Sequence, residues 1–146
     1  MPTALVTGAS GGSGRELSRL FAGDGYELIL VARDRDRLEE AARECRDRSG
    51  TTARVLTADL ARPDAAREVF DELQREQIAL DVLVNNAGFG LAGRFDQLDA
   101  ARQLDMIQVN VASLVQLTRL FLPQMLERRA GGVLNVASTA GFQPGP

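Results

Sequence analysis

Residues Leu5 to Arg15 read Leu-Val-Thr-Gly-Ala-Ser-Gly-Gly-Ser-Gly-Arg, and no other stretch restricts the fold so strongly. The apolar run Ala4-Leu5-Val6 stops at glycine-rich sequence, and a helical pattern of Leu17, Leu20 and Phe21 begins at once. The order is strand, glycine turn, helix. Such a turn presents free backbone N–H groups at a helix N-terminus, where the helix dipole also favours negative charge. A phosphate fits there without any cationic side chain. Gly8, Gly12 and Gly14 give the spacing Gly-x-x-x-Gly-x-Gly. Leu17 excludes Gly-x-Gly-x-x-Gly, and the absence of Gly-Lys-Ser/Thr excludes a Walker A loop. The bland alternative is a merely flexible turn.

Strand and helix alternate along the rest of the chain. Glu27 to Ala32 is a nearly continuous apolar strand, as in a parallel sheet buried on both faces. A helix over 36–48 turns Leu38, Ala41, Ala42 and Cys45 inward and stops at Gly50. A strand over 53–57 follows. Pro63 suits the first turn of a third helix, with Ala66, Val69, Phe70 and Leu73 inward. A strand over 80–84 leads into a glycine-bearing loop, and a long helical region spans about 99–129. Pro123 is expected to kink that helix or to mark a weak point in it. Gly131-Gly132 ends it, and a strand over 133–137 closes the pattern. The repetition implies right-handed βαβ units. It defines one α/β domain over 1–146, a doubly wound, three-layer α/β/α parallel sheet of about five strands.

Ligands on such sheets bind beyond the carboxyl ends of the strands. Polar residues do follow each strand: Thr7 to Gly14, Arg33, Asp59-Leu60, Asn85-Asn86 and Ser138. Where these folds bind dinucleotides, the adenosine ribose arrives past the second strand. An acidic residue there favours a free 2′-hydroxyl, and Arg accommodates a 2′-phosphate. Position 32 is Ala and Arg33 follows, which favours NADP; the adjacent Asp34 is expected at a helix N-cap. The carboxylate of Asp59 suits an adenine amino group. Asn85-Asn86 suits a tight turn held by side-chain bonds, and Ala87-Gly88 lets a ring lie against the backbone.

Composition removes several chemistries. All 17 basic residues are arginine, and Lys and His are both absent. Arginine binds phosphate but does not release its proton. Lysine chemistry, histidine bases and His-ligated metal sites are therefore excluded, and no metal site is expected. The net charge of −3 and the lack of a long basic run argue against a nucleic-acid partner. No apolar run approaches the roughly 18 residues of a membrane span. The first strand leaves no room for a signal peptide, so a soluble cytoplasmic protein is expected. Cys45 cannot form an internal disulfide and is expected to be a buried, inert thiol.

Taken in order, Thr7-Gly8-x-x-x-Gly12-x-Gly14, Asn85-Asn86-Ala87-Gly88, Val109-Asn110-Val111 and Asn135-Val136-Ala137-Ser138-Thr139-Ala140-Gly141 resemble the short-chain dehydrogenase/reductase family. The resemblance covers essentially the whole chain. It implies a Rossmann-type domain binding NADP, with NAD possible. The implied cofactor contacts are Thr7, Gly8, Ser10, Gly11, Gly12, Ser13 and Gly14 around the pyrophosphate, Arg33 at the ribose, and Asp59 and Leu60 at adenine. Asn86, Ala87 and Gly88 would line the nucleotide ribose and ring. The resemblance further implies that Asn110 holds a water of the proton relay and that Ser138 hydrogen-bonds the oxygen of a small carbonyl or alcohol substrate. In the family the long helix pairs in the oligomer, so a homo-oligomer is expected.

There are departures. Ser13 stands where the family usually has a branched apolar residue. The family's Tyr-x-x-x-Lys, about a dozen residues beyond the serine, is not present, and the sole tyrosine is Tyr26. The chain thus resembles the N-terminal, cofactor-binding part of an NADP-dependent oxidoreductase and is expected to be inactive alone. A non-catalytic NAD(P)-binding sensor and an interaction scaffold remain open on the sequence.

Overall fold

In the computed structural model the described residues are 1–143; residues 144–146 of the expected domain lie outside them. The elements run β1 (Thr3–Thr7), α1 (Gly12–Gly23), β2 (Glu27–Ala32), α2 (Arg35–Ser49), β3 (Ala53–Thr57), α3 (Ala65–Arg75) and β4 (Val82–Asn85). One helical run then comprises α4 (Ala100–Ile107), a π segment (Gln108–Ala112) and α5 (Ser113–Arg128), followed by β5 (Gly132–Asn135) and a 3-10 turn (Thr139–Gly141). The five strands form one parallel sheet in the order β3-β2-β1-β4-β5. The strand order reverses between β1 and β4, so the crevice opens at their carboxyl ends.

Strand alternation explains the three layers. On β1, Ala4 and Val6 enter the core shared with Leu38, Ala41 and Ala42 of α2, whereas Leu5 enters the core shared with Val69, Leu73, Leu117 and Phe121. On β2, Leu28 and Leu30 take the first side and Ile29 and Val31 the second. Both faces are dry, which is why these strands read as continuous apolar runs.

Four local expectations are corrected. Leu20, read as inward on α1, is 65% exposed; Gly14, Ser18 and Ala22 are buried instead. Small residues at i, i+4 and i+8 let α1 sit close on the sheet, and Ser18 Oγ donates to the Gly14 carbonyl at 2.7 Å. The third helix begins at Ala65, past Pro63. The fourth strand begins at Val82; Asp81 before it still bonds both neighbouring strands, its N–H donating to the Thr3 carbonyl at 2.9 Å and its carbonyl accepting from Gly132 N at 2.8 Å, while its carboxylate accepts from Thr3 N at 2.8 Å. The long helix departs from α geometry at 108–112, while α5 contains Pro123 within its span.

Candidate functional site

Three loops meet at the carboxyl ends of β1, β2 and β4, and buried hydrogen bonds fix their spacing. Thr7 Oγ1 donates to the Val84 carbonyl at 3.2 Å and accepts from Asn86 N at 3.0 Å and Ala87 N at 2.9 Å. Asn86 Nδ2 returns the connection, donating to the carbonyls of Thr7 at 3.0 Å and Gly8 at 3.3 Å. Gly8 has φ +65°, a conformation that glycine adopts without strain. A Cβ on Gly14 would stand 2.2 Å from the Gly8 carbonyl oxygen and 2.5 Å from Asn86 Nδ2. The glycine turn is thus a close-packed joint, not slack chain.

Beside this joint lies a cleft of about 860 Å³, within the usual range for small-molecule sites. Gly8, Ser10, Gly11 and Gly12 line it at the N-terminus of α1, Arg33 lines it past β2, and Asp59 and Leu60 past β3. Ala87 and Gly88 line it past β4. Asp34 caps α2, its Oδ1 accepting from Arg37 N at 3.1 Å. Asp59 Oδ1 accepts from Ala61 N at 3.0 Å, which fixes the carboxylate at the rim.

The other sequence-derived candidates lie outside this lining. Thr7, Asn86 and Gly14 form its support. Ser13 is exposed. Asn110, in the π segment, grips the loop after β4: its Oδ1 accepts from Phe89 N at 3.0 Å and its Nδ2 donates to the Phe89 carbonyl at 2.8 Å. Single π turns inside α-helices recur at functional sites. Ser138 follows β5 at the same end of the sheet, and its Oγ accepts from Ala140 N at 3.1 Å.

Sequence reasoning missed several lining residues: Arg37 on α2, and Arg102, Asp105 and Val109 on the long helical run. The Arg102 guanidinium lies 4.6 Å from the centre of the Phe89 ring and 3.6 Å from Asp105. The i, i+3, i+7 spacing of 102, 105 and 109 was the available signal.

Glycine N–H groups at a helix N-terminus, a rim arginine and a carboxylate beyond β3 define a doubly wound nucleotide-binding domain. The short chain dehydrogenase family model matches residues 2–146, and the chain belongs to that family. It is 40% identical over 144 residues to sulfoacetaldehyde reductase 2 of Chromohalobacter salexigens, covering 97% of this chain and 56% of the relative. A short-chain dehydrogenase from Sphingobium yanoikuyae, solved in complex with NADPH, superposes with TM-score 0.91 at 38% identity, over 99% of this chain and 56% of that one. The L-sorbose reductase of Gluconobacter frateurii, complexed with NADPH and L-sorbose, superposes with TM-score 0.90 at 31% identity, over 98% and 54%. The chain spans about half the length of the curated relatives it matches.

No helix among the described residues is long and apolar enough to cross a membrane.

Proposed function

We propose that this chain is the NADP-binding part of an oxidoreductase acting on a small carbonyl or alcohol. The carrying observation is the cleft at the strand-order reversal, which combines the glycine turn and α1 N-terminus with a rim arginine. The fit is chemical: N–H donors suit a pyrophosphate, and Arg33, with no carboxylate within 4.0 Å among the described residues, suits a 2′-phosphate. The NADPH-bound structural neighbours support the same reading. When bound, the nicotinamide nucleotide supplies or accepts a hydride.

In this reading Thr7, Gly8, Ser10, Gly11, Gly12 and Gly14 build the pyrophosphate side. Arg33 holds the 2′-phosphate, Asp59 and Leu60 receive adenine, and Asn86, Ala87 and Gly88 border the ribose and ring. Asn110 belongs to the proton relay by keeping the loop after β4 in place and holding a water, and Ser138 receives the substrate oxygen. A cytoplasmic setting accords with the single, buried and unpaired Cys45.

Calorimetric titration tests the cofactor. NADPH is expected to bind about ten- to a hundredfold more tightly than NADH, the value of a charge-assisted Arg–phosphate contact. Arg33→Ala should erode the NADPH affinity and leave NADH unchanged. Equal affinities for the two nucleotides refute the assignment. The same protein is expected to show no substrate-dependent NADPH oxidation. General acid catalysis needs a proton donor within about 3 Å of the substrate oxygen or one water away. The chain has no Lys or His, and Tyr26 packs edge-on against Phe21 at the amino end of β2, roughly 20 Å from the cleft at about 3.3 Å per strand residue.

A further inference from the structure

Arg33 shares the cleft lining with two further arginines and with the carboxylates of Asp34, Asp59 and Asp105. Three arginines line it: Arg33, Arg37 and Arg102. Arg102 is engaged, paired with Asp105 and stacked on Phe89. Arg33 and Arg37 have no carboxylate within 4.0 Å among the described residues, although arginines elsewhere on the surface are widely paired, as at Arg62–Glu68 and Arg94–Asp96. Asp34, which lines the same cleft, accepts at its Oδ1 from the Arg37 backbone N–H at 3.1 Å. That bond fixes the α2 N-terminus from which Arg37 projects.

The direction of that projection is set by Gly11. A Cβ on Gly11 would stand 2.9 Å from Arg37 Nη2, with no other residue within 4 Å. Gly11 has φ −173°, extended backbone open to any residue, so its backbone conformation does not require glycine. What the missing side chain provides is room. The Arg37 guanidinium reaches across the end of α2 and lies over the glycine turn, in the space a side chain at position 11 would take. It thereby lines the same cleft as Arg33, beside the glycine turn.

We propose that Arg37 is a second, specificity-determining ligand for the 2′-phosphate of the nucleotide, acting with Arg33 as a two-guanidinium clamp. The proposal rests on the reading of the cleft as an NADP site. A phosphate monoester carries nearly two negative charges at neutral pH, and two planar donors can share its oxygens, each bidentate.

The test separates this proposal from the reading beneath it. Adenosine 2′,5′-bisphosphate and 5′-AMP differ only by the 2′-phosphate, and calorimetric affinities for both are measured on the wild-type chain, Arg33→Ala, Arg37→Ala and Arg37→Lys. The wild type is expected to prefer the bisphosphate. Arg37→Ala should lower that preference about tenfold or more while 5′-AMP binds as before. Arg37→Lys should restore part of the preference, since a point charge replaces a planar fork. Unchanged 5′-AMP binding also certifies the fold of each variant. A full preference in Arg37→Ala together with its loss in Arg33→Ala overturns the second ligand and leaves the NADP reading standing. An equal loss of both ligands in Arg37→Ala overturns it too, because Arg37 would then serve the 5′-phosphate or the fold. A wild type with no preference overturns both readings.

Discussion

Thr7 concentrates three hydrogen bonds in one hydroxyl that is 1% exposed. Asn86 N has a second acceptor in the Val84 carbonyl at 3.1 Å, so removal of the hydroxyl orphans chiefly Ala87 N. Thr7→Val, which keeps the volume, is therefore expected to destabilise the fold by about 1–3 kcal/mol, the cost of a buried unsatisfied group. Thr7→Ser retains the hydroxyl and should cost less. Urea unfolding of the two variants checks the order; equal losses would assign the effect to the methyl group. At this scale the sequence was informative where chemistry follows a strand directly. Thr7, Arg33 and Asp59 each stand at or just past a strand end, and each is at the cleft or beneath it. Arg37 escaped notice because in sequence it is one more charge on the solvent face of a helix. Only the bare Gly11 opposite gives it a direction, and that relation crosses two elements. Ser13, chosen by motif position, projects to solvent and not into the cleft.

Between elements, α1 and α2 are joined over the sheet by a charge cluster. Glu44 of α2 accepts from both Arg15 and Arg19 of α1, and Arg15 also reaches Glu40 at 3.2 Å. Hydrogen bonds from Arg15 and then Arg19 hold the Glu44 carboxyl well below its ordinary value of 4.5, at about 2. A carboxyl with its folded pKa below its unfolded one contributes stability above pH 4.5, and that contribution disappears as pH falls toward 2. Glu44→Gln is thus expected to unfold at lower urea than the wild type at pH 7, with the two midpoints converging as pH approaches 2. A constant gap across that window would place the effect in packing instead. The same level shows what periodicity carries. The alternating apolar strands and the inward stripes of α2 and α3 were legible because burial alone selects them. The inward face of α1 was not, because close approach to the sheet selects Gly14, Ser18 and Ala22 against the larger Leu20. The π segment at 108–112 was invisible as well. Its apolar residues continue the helical stripe on both sides, and only the bonds from Asn110 to Phe89 mark the spot.

For the whole molecule, the unresolved demand is the long helical run. Leu104, Ile107, Val111, Val115, Leu122 and Leu126 are exposed, between 37% and 67%, and lie at steps of three, four or seven along 104–126. None of the six lines the nucleotide cleft. Soluble monomers seldom leave a contiguous apolar face of this length to water, and a self-complementary face of this kind suits a two-fold pair of identical chains. Leu134 and Val136, at and just past the edge strand β5, are 40% and 38% exposed and add a second adhesive region. We propose that copies of this chain associate through the helical stripe. Sedimentation velocity is expected to give a dimer or larger species at micromolar concentration, and Val111→Glu with Val115→Glu should shift the population to monomer. Because the stripe and the cleft do not share residues, NADPH affinity should change by less than about threefold, under 0.7 kcal/mol at 1.4 kcal/mol per tenfold. A wild-type chain that sediments as a monomer refutes the proposed interface. A doubly substituted chain that still associates moves the contact to the β5 edge, where Leu134→Lys becomes the discriminating substitution.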